Sequence, residues 1–507
     1  MSDVDVLNLE DGRDIYAIGD IHGDFRAMLI CLRDCCKVIE KTSGKFDPNK
    51  EDKEIRTILE DVDFSKTCVD FENFVCDFGY RWIPKNNSVV VFLGDLIDNN
   101  RIKDVTKLPN EFPFEEVKLC LFLKDLKKQA LFNGGLLINL LGNHDFINLF
   151  SFDGTNFDYG NEYIKLYTSK YGRSSEIGEY DRTRYFGVDV LGNELICSGW
   201  TGIFIQINDF IFTHAGFGKK IITLNDEGTS YMDIYDHSRF NLEQLKAYNK
   251  IIRRLVEFKT QFSLANAKIR TDILAILEDR EIASLDIIND VNSSKPTENV
   301  YCSTIRKVFR DYDPTSPDEG RNLRIVVGHT VQATLIYNKL MYPKKSYKFS
   351  TFINQRRDPD NRVVVLSFPT EISEYKPLLG IYDSFTNLFG ITMDCSMNDE
   401  KSAHAIYRLD VGMSAGFDLS PTQINKVKIQ ASKHSTDEKT KKNYEMLFYS
   451  SLIKTRSPQV LHIHINNFKH HDYTVEIIRS SIKNTLIHQS RDGSQVDFPK
   501  DLMVGFL

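Results

Sequence analysis

The sequence predicts an α/β layered fold, and three observations carry that prediction. Five short apolar runs, Ile15–Ile18, Ser88–Leu93, Leu136–Leu141, Phe210–Thr213 and Leu323–Val327, are rich in Val, Ile, Leu and Phe and bounded by Gly, Asn or Asp. Runs of this length with such boundaries read as buried strands. Stretches with helical apolar spacing lie between them, and strand alternating with helix is the pattern of layered α/β proteins. Each run also ends in a short polar motif, which puts chemistry at the strand ends.

The first strand is followed by a helical pattern from Phe25 to about Glu40, with Met28, Leu29, Leu32 and Cys36 on one face. Lys41–Lys66 is polar and charged and reads as a surface excursion. A second helix is predicted over Phe114–Leu131, ahead of the third strand. Phe240–Asp279 is helical: Leu242, Leu245, Tyr248, Ile252, Leu255 and Phe258 keep near-helical spacing, and Asn241 with Gln244 resembles a capping box. That stripe reads as packing, with a lid over the strand ends as the alternative. Pro314–Gly320 is turn-rich, Pro343–Arg362 is polar, basic and breaker-rich, and Ser432–Asn443 is polar and charged. No repeat is visible. The expected organisation is one decorated catalytic domain over residues 12–467, with insertions near 41–86, 222–300 and 340–375, and a C-terminal extension over 468–507.

Bulk properties exclude more than they select. The 507 residues are 41% hydrophobic and 27% charged, which is enough to bury a sizeable core. A net charge of −7 argues against a general nucleic-acid binder. The nine cysteines form no CxxC and no close-paired framework, which predicts free thiols in a reducing compartment. Met1–Asp5 lacks the basic and apolar regions of a signal peptide, and runs such as Val89–Leu93 are far short of a membrane span. The expectation is an intracellular, cytoplasmic protein with no membrane partner.

The chemistry lies in the five motifs. They are Gly19-Asp20-Ile21-His22-Gly23, Gly94-Asp95-Leu96-Ile97-Asp98, Gly142-Asn143-His144-Asp145, Thr213-His214-Ala215-Gly216 and Gly328-His329-Thr330. Ligands of open α/β sheets bind outside the carboxyl ends of the strands, so residues far apart in sequence can converge there. Together the motifs offer Asp, His, Asp, Asn, His and His, a set that can hold two metal ions sharing one carboxylate. Such donors suit Mn, Fe, Zn or Mg, and no thiolate selects a soft metal. Two adjacent ions can activate water and clamp the oxygens of an in-line phosphoryl displacement. His144, beside Asn143, is placed to protonate a leaving alcohol, and Asp98 to orient that imidazole. A given four-residue string is expected only about once in 10⁵ positions, so the ordered set is a strong signal. Outside it, His462 and His464 alternate on a predicted strand. That spacing could bind metal, but with no third donor in the segment it reads as a strand surface. His470-His471 reads as a loop pair, and Lys344 to Arg357 as a solvated basic stretch.

The ordered motifs resemble those of the calcineurin-like metallophosphoesterases, and within them the phosphoprotein phosphatase branch. That branch's GDxHG, GDxxDRG, GNHE, HGG-like and later His signatures appear here as GDIHG, GDLIDNN, GNHD, THAG and GHT. Arg81-Trp82, Ile325–Thr330 and Leu409–Ser414 extend the similarity toward bacterial-type, Shewanella-like members, over roughly residues 12 to 415. The resemblance implies a two-sheet β-sandwich flanked by helices. It implies that Asp20 and His22 bind one metal, that Asp95 bridges, and that Asn143, His214 and His329 bind the second. It makes His144 the general acid, supported by Asp98. Two divalent ions are implied, Mn foremost with Fe or Zn as alternatives. The implied function is hydrolysis of phosphomonoesters on a phosphorylated protein or small phosphoester, of serine/threonine protein phosphatase type. The family's phosphate-gripping arginine is replaced by Asn99-Asn100-Arg101, which makes Arg101 the candidate substrate-binding residue. A second gripping arginine has no clear counterpart, with Arg306 and Arg310 as the nearest candidates. GNHD in place of GNHE is the form of dinucleoside-polyphosphate hydrolases. The alternatives are therefore a nucleotide phosphohydrolase or a catalytically weak metal-binding interaction module.

Overall fold

Buried apolar runs become the central strands of two sheets. The computed structural model describes residues 5–42, 79–97, 114–150, 202–215, 221–224, 231–234, 242–257, 273–278, 324–329, 354–357, 363–366, 406–410, 413, 425, 429 and 458–480. In chain order the strands of the two sheets are β1 (Val6–Leu7), β2 (Asp14–Ile18), β3 (Val89–Phe92), β4 (Leu136–Asn139), β5 (Phe204–Ile207), β6 (Phe210–Thr213), β7 (Arg324–Val327), β8 (Ile406–Arg408), β9 (Gln459–Asn467) and β10 (Asp472–Arg479). One five-stranded sheet has the order β10-β9-β2-β3-β4, the other β1-β5-β6-β7-β8. In the first, β2, β3 and β4 run parallel, while β9 is antiparallel to both β2 and β10. In the second, β6, β7 and β8 run parallel. All of Val89–Phe92 and Phe210–Thr213 is buried, as expected of strands covered on both faces.

One apolar cluster joins the sheets: Val89, Val91 and Ile138 of the first share it with Phe210, Phe212, Val326 and Leu409 of the second. The implied two-sheet sandwich is therefore the observed architecture. At the end away from the motifs, the β9–β10 hairpin is tied to the β5–β6 turn. Asp209 accepts hydrogen bonds from His471 Nδ1 and the Tyr473 hydroxyl, both at 2.7 Å. Tyr473 also meets Phe210 edge-on, with Arg324 stacked against both rings.

The helices are α1 (Phe25–Ile30), α2 (Phe114–Phe132), α3 (Asn143–Phe150) and α4 (Leu242–Glu257). Asp24 caps α1, its carboxylate accepting from the Ala27 N–H at 2.9 Å. The helix does not run to Glu40. A π turn takes over at Cys31–Cys35, Lys37 adopts a left-handed φ of +53°, and Ile39–Lys41 pairs as a strand with Tyr80–Trp82. The Val38 N–H bonds back to the Leu32 carbonyl, closing the helix end despite the non-glycine at Lys37. Phe25 and Phe122 pack ring against ring, joining α1 to α2. On α4, Tyr248 and Ile252 of the apolar stripe are buried, with Ile251 beside them, so the described part of the stripe is packing. Asn249 docks it on the second sheet, accepting from Ile203 N–H and donating to Phe204 O and Asp5.

Cys31, Cys35, Cys36 and Cys120 are free and buried, in line with the thiol reading; the other five lie outside the described residues. Most of the three insertions also lies outside them. Among the described residues, no helix is long and apolar enough to cross a membrane.

Candidate active site

Five strand ends meet at one seam. Asp20 and His22 follow β2, Asp95 follows β3 and Asn143 follows β4, three neighbouring parallel strands of one sheet. His214 follows β6 and His329 follows β7, adjacent parallel strands of the other. All six side chains belong to buried residues. His22 Nε2 lies 3.6 Å from Asp95 Oδ2 and 4.0 Å from Asp20 Oδ2. His214 Nε2 lies 3.5 Å from Asp95 Oδ1 and 3.0 Å from Asn143 Oδ1. The His214 and His329 rings stand edge to face at 5.0 Å. Asp95 is thus the carboxylate common to both halves of the cluster.

The turns that present these groups are bound to one another through the backbone. His22 N–H and Ile21 N–H both donate to the Asp95 carbonyl, at 2.8 and 3.2 Å. The His329 N–H reaches across the seam to both Asp20 carboxylate oxygens, at 3.2 and 3.1 Å. His22, Asp95 and His329 have φ of +46°, +50° and +63°. That left-handed conformation is uncommon away from glycine and gathers at functional sites. Nothing in the residue types announces it.

His214 shows why this pocket suits a cation. Burial, with a smaller push from His144, lowers its imidazole to about 3, so the ring is neutral. Its Nδ1 faces the Leu93 carbonyl at 3.0 Å, an acceptor, so Nδ1 carries the hydrogen. Nε2 then presents a lone pair to the oxygens of Asn143 and Asp95. Three electron-rich atoms facing inward are the environment of a metal ion, and a carbonyl on the far nitrogen is the usual support of a ligating histidine. At the seam, two groups among the described residues have ligand atoms within 4.8 Å of one another: Asp95, His214 and His329, and His22, Asp95 and His144, the last standing where the resemblance implies Asp20. The residues present therefore fit two divalent ions held by oxygen and imidazole donors.

His144 differs from the others. Its side chain is 13% exposed, against 0–2% for His22, His214, Asp20 and Asp95, so it faces the mouth. Its ring stands edge-on to His22 at 5.0 Å, and its backbone N–H donates to Asp95 Oδ1 at 2.9 Å. Asp98, Arg101, Arg306 and Arg310 lie outside the described residues.

Asp145, to which the motifs assign no part in building the site, sits at its base. Its buried carboxylate accepts from the N–H groups of Leu96 at 3.0 Å, Ile97 at 3.2 Å and Gly142 at 2.9 Å. It therefore ties the turn after β3 to the turn after β4. Burial, and next the charge of Asp95, raise its carboxyl to about 7. The signal for this residue was in the sequence: a carboxylate three positions after a glycine at a helix start. The two turns also interlock through glycines. Gly94 has φ +104°, and a Cβ on it would overlap the Gly142 backbone, while a Cβ on Gly142 would overlap the Asp95 carboxylate. Gly142→Ala should therefore displace Asp95, destabilise the fold by about 1–3 kcal/mol and reduce metal content. Thermal melting with elemental analysis checks this, and a variant that melts and loads like the parent would refute the interlock.

The family model described as calcineurin-like phosphoesterase matches residues 14–349, more than half of the chain. No curated protein sequence matches. A solved cold-active protein tyrosine phosphatase is similar at 17% identity, over 65% of this chain and 67% of that chain, with a TM-score of 0.33. The cold-active protein-tyrosine phosphatase of a psychrophilic Shewanella species is similar at 16% identity, over 65% and 68%, with a TM-score of 0.33. A protein serine/threonine phosphatase from Saccharomyces cerevisiae is similar at 14% identity, over 65% and 66%, with a TM-score of 0.28.

Proposed function

The chain belongs to the calcineurin-like phosphoesterase family and is a phosphoester-hydrolysing enzyme; from that premise we propose that it removes phosphate from phosphorylated proteins, as a serine/threonine-type phosphatase. The observation that carries the proposal is the meeting of the GDIHG, GDLI and GNHD turns at one seam, in the order of the phosphoprotein phosphatase branch. The donor set that fits the family's metals is Asp20, His22 and Asp95 for one ion and Asp95, Asn143, His214 and His329 for the other. Bound there, two divalent ions would activate a water and neutralise phosphoryl charge. Manganese is the proposed physiological metal, with iron or zinc as the alternatives that the same oxygen and imidazole donors accept.

The chain's own residues do the rest. Asp95 and Asn143 set the donor positions through their interlocked turns. His144, the least buried histidine of the set, delivers a proton to the departing serine or threonine oxygen. Asp98 orients that imidazole, and Arg101 grips the phosphate. Asp145 motivates the nucleotide reading, but its three backbone hydrogen bonds occupy it within the scaffold, which favours the protein substrate.

A panel run with Mn²⁺ tests this, comparing a phosphoserine peptide, a phosphotyrosine peptide and a diadenosine polyphosphate. The phosphoserine peptide should be turned over fastest. A preference for the diadenosine polyphosphate would overturn the substrate assignment, and silence on every substrate with metal bound would favour the interaction module. Dialysis against a chelator should lower activity at least ~10²-fold, with recovery on adding Mn²⁺.

A further inference from the structure

A second donor cluster lies at the opposite end of β2, away from the seam. On β9 the side chains alternate: Leu461, Ile463 and Ile465 are buried, while His462 and His464 face outward. A strand surface is all that segment predicts by itself. The antiparallel neighbour supplies the missing donor, because β2 pairs Asp14 with His464. His462 Nε2 and His464 Nδ1 both converge on Asp14 Oδ1, at 2.8 and 2.7 Å. The three residues offer ligand atoms within 4.8 Å of one another.

From this convergence we propose that Asp14, His462 and His464 form a third metal site, of the zinc class, separate from the seam. Two imidazoles and a carboxylate with a fourth position open to water are a known zinc ligand set. The surrounding residues support it. His462 Nδ1 lies 2.9 Å from Glu476 Oε1, on the facing strand β10. A carboxylate on the far nitrogen of a ligating histidine fixes the tautomer that turns the other nitrogen toward the metal. The Tyr16 ring stacks on His462, with centroids 4.8 Å apart and planes 14° from parallel, which holds the imidazole in place. With the hydrogen on Nδ1, His462 Nε2 turns a lone pair toward an Asp14 oxygen, a pairing that either a proton or a metal ion between the two atoms would satisfy. The donor atoms now sit at hydrogen-bond separation; ligands about 2.0–2.1 Å from a zinc stand roughly 3.3 Å apart, so small side-chain rotations open the site. The side chains of Asp14 and His464 are 34% and 38% exposed, which gives the ion a path in. A zinc there would fasten the β9–β10 hairpin to β2, the strand that leads into Asp20.

The test uses the full chain, stripped with a chelator and dialysed against micromolar Zn²⁺. Zinc per chain is then measured by elemental analysis, in wild type and in the His462→Asn/His464→Asn variant. The variant should hold one zinc fewer and keep its Mn²⁺-supported phosphatase activity. Should that variant fail to fold, Glu476→Gln is the second probe, and it should weaken zinc retention against a chromophoric chelator by about 10–100-fold. Equal zinc content in wild type and variant, the result of a cluster held by a proton alone, overturns the proposal. So does unchanged retention in Glu476→Gln.

Discussion

Asp95→Asn should lower kcat by on the order of 10³-fold, about 4 kcal/mol of transition-state stabilisation, while leaving the protein folded. The substitution is nearly isosteric. The amide oxygen can still accept from the His144 N–H, and the Asp95 carbonyl keeps its bonds from Ile21 and His22. What is lost is the negative charge that faces His22 at 3.6 Å and His214 at 3.5 Å. Because that carboxylate is the donor common to both groups, its loss weakens both ions at once. Steady-state kinetics at saturating Mn²⁺, with metal content measured in parallel, checks this. A kcat within threefold of the parent would mean that Asp95 is not the shared ligand.

His144→Asn should slow hydrolysis of a phosphoserine peptide by about 10²–10³-fold, within the roughly 10²–10⁴-fold range of general-acid contributions. An alkoxide leaves poorly without a proton. A nitrophenolate leaves well without one, so the same variant should lose much less on p-nitrophenyl phosphate. That split separates a proton donor from a residue that merely shapes the pocket, since a distorted pocket would slow both substrates alike. The backbone bond from His144 to Asp95 does not depend on the side chain, so metal content should stay at the parent level. Equal losses on the two esters would argue that His144 is structural.

Much of this site was legible in the sequence because its parts are local. A strand buried on both faces leaves an unbroken apolar run, as in Val89–Phe92, and a ligand held at its end follows a glycine, as Asp95 follows Gly94. Order along the chain then stood in for position in space. What was not legible depends on partners or on backbone conformation. No residue type foretells the left-handed φ of His22, Asp95 and His329. The helix after β2 keeps its apolar spacing past Cys36, yet it ends there, because Lys37 turns left-handed and Ile39 finds a strand partner at Trp82. His462 and His464 are a bare surface pair until β2 brings up Asp14, more than four hundred residues away in sequence. The lid alternative for α4 fell to Asn249, whose amide is spent on Asp5 and the β5 backbone.

The seam has a consequence beyond catalysis. Asp20, Asp95 and Asn143 hang from one sheet, and His214 and His329 from the other. In the proposed assignment the second ion takes donors from both, so it rivets the two halves of the sandwich. An ion that binds only the folded chain adds its occupancy to folding by mass action, about 2.7 kcal/mol at a hundred times its Kd. Metal supply would then set the stability of the protein as well as its rate: depletion would lower the melting temperature along with the activity.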